Sequence, residues 1–303
     1  MSTTTGERKL RLLSLDGGGV FMDELNSKRK ERSLPPLKPC DVFDLIGGTS
    51  TGGLIVIMLG RLEMDVDQCI TAYNDLFPIG WSGNITAKFS SSTLGDQIKK
   101  VIEACPGVAP TDLPNDNRER RCRVFVCATA KENGSTTRLR SYTVAGELEV
   151  KATIIEAALA TSAATSLLEP VTIGRLTFVD GALGVKNPVG EVESEALNIW
   201  GAKSLRAAVK CFVSVGTGVG GTTPIQDSVT GFFSETLVRI STETEATARS
   251  FLDRWRVQYE GQRYFRFNVQ QGLQNVATAD YLGHMEQRVQ LERCISTLLE
   301  PQG

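Results

Sequence analysis

This 303-residue chain contains one histidine, His284, so any chemistry that needs an imidazole must use that residue or do without. It also lacks a long apolar run. The most apolar stretch, Leu54 to Leu59, is far too short to span a bilayer, which leaves peripheral contact as the expected mode of meeting a membrane. Met1 to Lys9 has no apolar core behind its charges and does not read as a secretory signal. Basic charge is not in excess. Lys and Arg total 33 against 35 for Asp and Glu, a net charge of -2, so no general attraction to nucleic acid is expected. The cysteine pattern excludes more. Seven residues, an odd count with no Cys-x-x-Cys pair, read as reduced cytosolic thiols rather than a disulfide framework or a zinc site. A cytoplasmic protein with no bound metal is therefore expected.

The patterns that are present alternate between strand and helix. Strands are expected at Leu10 to Leu15, Val42 to Ile46, Arg123 to Ala128, Arg138 to Val144, Thr172 to Val179, Val209 to Val215 and Tyr264 to Val269. Helical spacing marks Phe21 to Arg32, Gly52 to Arg61, Val66 to Phe77, Ser92 to Cys105, Thr153 to Ala163, Val189 to Trp200, Phe232 to Tyr259 and Asp280 to Leu299. That order predicts an α/β fold of three layers, α/β/α, with a central mixed, largely parallel sheet. The whole chain reads as one domain, with a motif-bearing core at about 10–220 and a helical C-terminal part at about 228–299.

Three motifs sit at strand ends, where sites form in open α/β sheets. Gly48-Thr49-Ser50-Thr51-Gly52 follows an apolar strand and opens an apolar helix, the context in which Gly-x-Ser-x-Gly presents a serine nucleophile on a sharp turn. Asp16-Gly17-Gly18-Gly19 ends the first strand. Its glycines are either a plain flexible turn or a nest of amides able to hold an oxyanion. Asp180-Gly181 ends a later strand, as a base for the serine or as a structural cap. The order Ser50, Asp180, His284 matches that of an α/β-hydrolase triad. His284, however, lies in an expected helix rather than on a loop beyond a strand, which favours a surface or interhelical role for it.

Taken together these motifs resemble the patatin-like phospholipase family, which carries an Asp-Gly-Gly-Gly loop, a Gly-x-Ser-x-Gly elbow and a later Asp-Gly in this order. The resemblance extends through Leu12 to Asp16, Phe43 to Ser50, Ala160 to Ala164, Asp180 to Gly184 and Val213 to Gly218, with the closest look to the fungal branch. It implies a Ser-Asp dyad that needs no histidine, cofactor or metal. Ser50 would attack a lipid ester, with Asp180 as base and the amides of Gly17, Gly18 and Gly19 as the oxyanion hole. A phospholipid or other acyl lipid would be the substrate. The chain departs from the family after Gly19, where Val20-Phe21-Met22 replaces the expected x-Arg-Gly. Two further readings follow: an esterase triad through His284, and a lipid-sensing regulatory module with little turnover.

Two other features invite functional readings. Gly216 to Gly221 matches Gly-x-Gly-x-x-Gly, but a polar stretch follows it rather than an apolar helix. Arg118 to Arg123 is a basic cluster on an expected loop, either solvated or facing a phosphate headgroup.

Overall fold

A computed structural model describes residues 9–16, 26, 29–31, 33–76, 91–147, 149–163, 169–201, 205–216, 244–268 and 285–299. The run Leu10–Leu15 forms β1, buried along its whole length. Strand alternation sends Leu13 and Leu15 to one face and Leu10 and Leu12 to the other, so β1 must be covered on both sides. It lies between two parallel neighbours, β2 (Leu45–Thr49) and β7 (Val209–Val215). β8 (Tyr264–Phe267) continues the parallel order beyond β7, and β3 (Arg123–Ala130) continues it beyond β2. The other pairings are antiparallel: β4 (Thr136–Arg140) with β3, and β6 (Leu176–Asp180) with both β3 and β5 (Val171–Ile173). The result is an eight-stranded mixed sheet.

Helices cover both faces, as the strand–helix alternation implies. One face is packed by α2 (Thr51–Val56), α3 (Val66–Leu76), α4 (Ser91–Glu103), α5 (Ile154–Ser162) and α7 (Met285–Leu299), which follow a short α1 (Pro39–Val42). The other face carries α6 (Val189–Trp200) and the helical residues 244–254. On that second face Phe212 meets Phe251, Trp255 and Tyr264 edge-on, with centroids 5.4–5.7 Å apart.

The expected elements differ from the observed ones in four informative places. The strand expected at Val42 to Ile46 is displaced towards the C-terminus, sharing only Leu45 and Ile46 with β2. Pro39 opens a helical turn whose Asp41 carboxylate accepts the Lys38 N–H at 3.0 Å, and the strand begins three residues later at Leu45. Gly47, which resembles turn punctuation, sits inside β2 because a Cβ there would lie 2.4 Å from the Phe125 ring. Thr172 to Val179 is a hairpin rather than one strand, reversing at Gly174, whose φ is 63°. The strand expected at Arg138 to Val144 begins two residues earlier, at Thr136, and ends at Arg140, where Phe125 to Thr129 of β3 supply its ladder. Most of Phe21 to Arg32 lies outside the described residues, as does the first part of Phe232 to Tyr259.

The hairpin has a topological consequence. A strand has two edges, and β4 occupies one edge of β3 from Phe125 to Thr129. β2 pairs with Arg123 to Cys127 and β6 with Ala128 to Ala130, so these two must share the opposite edge, end to end. β2 runs parallel to β3 and β6 antiparallel, so their carboxyl ends meet. Ser50 follows the end of β2, and Asp180 is the end of β6.

Candidate active site

Ser50 occupies the turn between β2 and α2 with φ 55° and ψ −128°, a conformation rare for any residue with a side chain. Space around the turn is scarce. A Cβ on Gly52 would lie 2.2 Å from the Leu15 carbonyl oxygen, so only glycine lets the first turn of α2 seat against the end of β1. Thr161, in the last turn of α5, holds the turn from below. Its hydroxyl accepts the Ser50 N–H at 3.1 Å and donates to the Cys127 carbonyl at 2.7 Å. The Ser50 side chain does not cap the helix it starts, which leaves its hydroxyl available elsewhere.

That hydroxyl donates to Asp180 Oδ2 at 3.0 Å. The other carboxylate oxygen, Oδ1, accepts the Ala182 N–H at 2.7 Å. Asp180 is also fixed through its backbone: its N–H donates to Ala163, and its carbonyl accepts the Thr129 hydroxyl. Both oxygens thus have defined roles, one anchored and one facing the serine. Burial raises the Asp180 pKa to about 6, against the lowering influence of the Ala182 N–H and the Ser50 hydroxyl. A buried carboxylate with so few donors is a stronger base than a solvated one. A serine hydroxyl hydrogen-bonded to a buried carboxylate is the geometry that nucleophile-and-base chemistry requires.

The structure therefore brings together the two side chains expected for the dyad. Gly17, Gly18, Gly19 and His284 lie outside the described residues, as do Thr217 to Gly221. Asp16 is described. Its carboxylate receives two N–H groups from Arg266 of β8, at 2.7 and 3.0 Å. In the basic segment Arg118 and Arg120 pair with Asp116, which Arg61 also reaches, and Arg123 lies over the Trp200 ring, while Arg118 and Arg121 stay exposed. Local sequence pattern does not mark Thr161 or Arg266 as site residues. Thr161 had one available signal, a polar residue on the buried side of an alanine-rich helix. Arg266 had none, being 250 positions from its partner. Among the described residues no cluster of His, Cys, Asp or Glu is suited to a metal ion, and no helix is long and apolar enough to cross a membrane.

The family model described as Patatin-like phospholipase matches residues 13–192, more than half of the chain. A mouse protein named calcium-independent phospholipase A2-gamma (Mus musculus) is 28% identical over 234 residues, covering 70% of this chain and 29% of its own length. A protein of Escherichia coli named cGAMP-activated phospholipase is 29% identical over 204 residues, covering 59% of this chain and 54% of its own length. Phospholipase A I of Arabidopsis thaliana is 43% identical over a shorter stretch of 96 residues, 31% of this chain and 7% of its own. The chain thus spans under a third of the length of the mouse relative it matches.

Proposed function

This chain belongs to the patatin-like phospholipase family, and from that premise we propose that it is a lipid acyl hydrolase acting through Ser50 and Asp180. The observation that carries the reading is the 3.0 Å hydrogen bond that the hydroxyl of Ser50, on a strained strand-to-helix turn, donates to the buried Asp180 carboxylate. Ser50 Oγ attacks the ester carbonyl carbon while its proton passes to Asp180. Collapse of the tetrahedral intermediate releases the alcohol, which takes that proton, and leaves the acyl group on Ser50. Water then attacks the acyl-enzyme with Asp180 again as base, freeing the fatty acid and restoring the serine. The amides of Gly17, Gly18 and Gly19, next in the chain after Asp16, are the proposed donors to the oxyanion. The substrate proposed is a phospholipid or related acyl lipid, met through peripheral contact with a membrane. A cytoplasmic setting accords with seven cysteines that are all free thiols.

The test is hydrolysis of a short-chain nitrophenyl ester by the wild type and by Ser50→Ala, Asp180→Asn and His284→Ala. The dyad predicts that Ser50→Ala abolishes turnover and Asp180→Asn lowers kcat about 10²–10⁴-fold, while His284→Ala stays close to wild type. Loss in His284→Ala with Asp180→Asn still active would replace the dyad by a triad. A wild type that neither turns over ester nor labels at Ser50 with a fluorophosphonate would point to a regulatory module instead.

A further inference from the structure

Arg266 lies on β8, three strands away from the nucleophile strand β2, and its side chain is nine-tenths buried. Its guanidinium donates from Nη1 to Asp16 Oδ1 at 3.0 Å and from Nη2 to Asp16 Oδ2 at 2.7 Å, a planar fork on a planar carboxylate. Nη1 also donates to the Ser214 hydroxyl of β7 at 2.8 Å. Glu245, on the helical residues 244–254, stands 3.6 Å from Nη2 and accepts the Asn268 amide at 2.5 Å. One side chain thus ties together the carboxyl ends of β1, β7 and β8. The backbone repeats the connection, since the Asp16 N–H donates to Val215 and the Gly216 N–H to Phe267.

The end of β1 is the surface on which the Ser50 turn rests. The Leu15 carbonyl oxygen and the Asp16 carbonyl carbon would lie 2.2 and 2.8 Å from a Cβ on Gly52, two residues after the nucleophile. A shift of Asp16 therefore cannot be absorbed by slack; it moves or tilts the first turn of α2. We propose that Arg266 is a positioning residue for the nucleophile, holding Asp16 and Leu15 so that Ser50 Oγ stays aligned with Asp180. The proposal rests on the acyl hydrolase reading of Ser50 and Asp180. The site needs an arginine because two parallel N–H donors fix the orientation as well as the position of the carboxylate, whereas a lysine ammonium fixes only a point.

Two variants test this with nitrophenyl ester kinetics, thermal unfolding and amide hydrogen exchange over residues 10–16 and 45–56. Arg266→Lys keeps the charge and loses the fork. The double variant Asp16→Asn with Arg266→Gln removes both buried charges and serves should the single variant not fold. In a folded variant kcat is expected to fall about a hundredfold with KM unchanged, because misplacing reacting groups by about 1 Å costs that much. Exchange over 45–56 is expected to quicken. A purely structural role would lower the unfolding temperature and leave kcat of the folded enzyme alone. Wild-type kcat in either folded variant, against an active wild type, overturns the role of Arg266 and leaves the dyad standing. A silent wild type without fluorophosphonate adduct at Ser50 overturns the hydrolase reading itself, and the role of Arg266 with it.

Discussion

Asp180 is placed where its charge is least comfortable, and function and stability pull on it in opposite directions. Burial raises its pKa from 3.8 to about 6, so below that pH the folded protein retains a proton that the unfolded chain releases at about 4. The folded state is then favoured at low pH, and this contribution is lost as pH rises from about 4 through 6. Catalysis needs the opposite form, because only the ionised carboxylate accepts the Ser50 proton. The value of kcat/KM is therefore expected to rise with pH through about 6 and level off above it. Asp180→Asn removes the buried charge at pH 8 yet can still accept the Ala182 N–H. It is expected to unfold later than the wild type, by about 1–3 kcal/mol, while losing activity. Urea unfolding at pH 8 and pH 4 checks the sign: the gain should shrink at pH 4, and a variant less stable than wild type at pH 8 would contradict this account. Ser50 adds a second tension, since its positive φ carries a strain of about 1–3 kcal/mol that only the surrounding contacts sustain.

Those contacts come largely from α5. Its start is set by a capping box in which Thr153 and Glu156 satisfy each other's backbone donors. Small buried residues, Ala157, Ala158 and Ala160, let it lie close against the sheet, and its last turn delivers Thr161 beneath the nucleophile. Thr161→Val preserves the shape but strands the Ser50 N–H and the Cys127 carbonyl. The expected loss is about 1–3 kcal/mol of stability, with kcat reduced and KM little changed, whereas Thr161→Ser should restore both. Chemical unfolding and ester kinetics on the pair decide it; a fully active Thr161→Val would remove α5 from the account. The element scale also marks where the sequence is legible. Elements with their own periodicity, such as Leu10 to Leu15 and Val189 to Trp200, are readable to the residue, and so are the strand-end turns at Ser50 and Asp180, whose glycine neighbours record crowded or tight backbone. What escapes is set by distant partners. Gly47 belongs to a strand because Phe125 leaves it no room, the Gly174 hairpin turns β6 towards Ser50 through its pairing with β3, and Arg266 finds Asp16 across the sheet. No local pattern encodes such meetings.

At the scale of the molecule, the family match ends at residue 192, but the sheet does not. β7 pairs with β1 from Leu10 to Leu15, and β8 brings Arg266 to the end of that same strand. Arg11 of β1 donates to the Leu298 carbonyl of α7, and Phe212, Phe251, Trp255 and Tyr264 complete the apolar layer over Leu10, Leu12 and Leu45. Residues beyond the matched segment therefore hold the strand on which the nucleophile turn rests, which makes the described residues one expected folding unit rather than a catalytic core with an appendage. Cut at residue 200, the chain would leave β1 as a flat apolar edge with unpaired backbone groups, the kind of edge that seeks another chain. A 1–200 fragment is expected to aggregate or to bind a dye specific for exposed apolar surface, and to show no ester turnover. The full chain should unfold in a single calorimetric transition whose calorimetric and van't Hoff enthalpies agree. A soluble, monomeric and active 1–200 fragment, or two separate transitions in the full chain, would show that the site is supported without β7, β8 and α7.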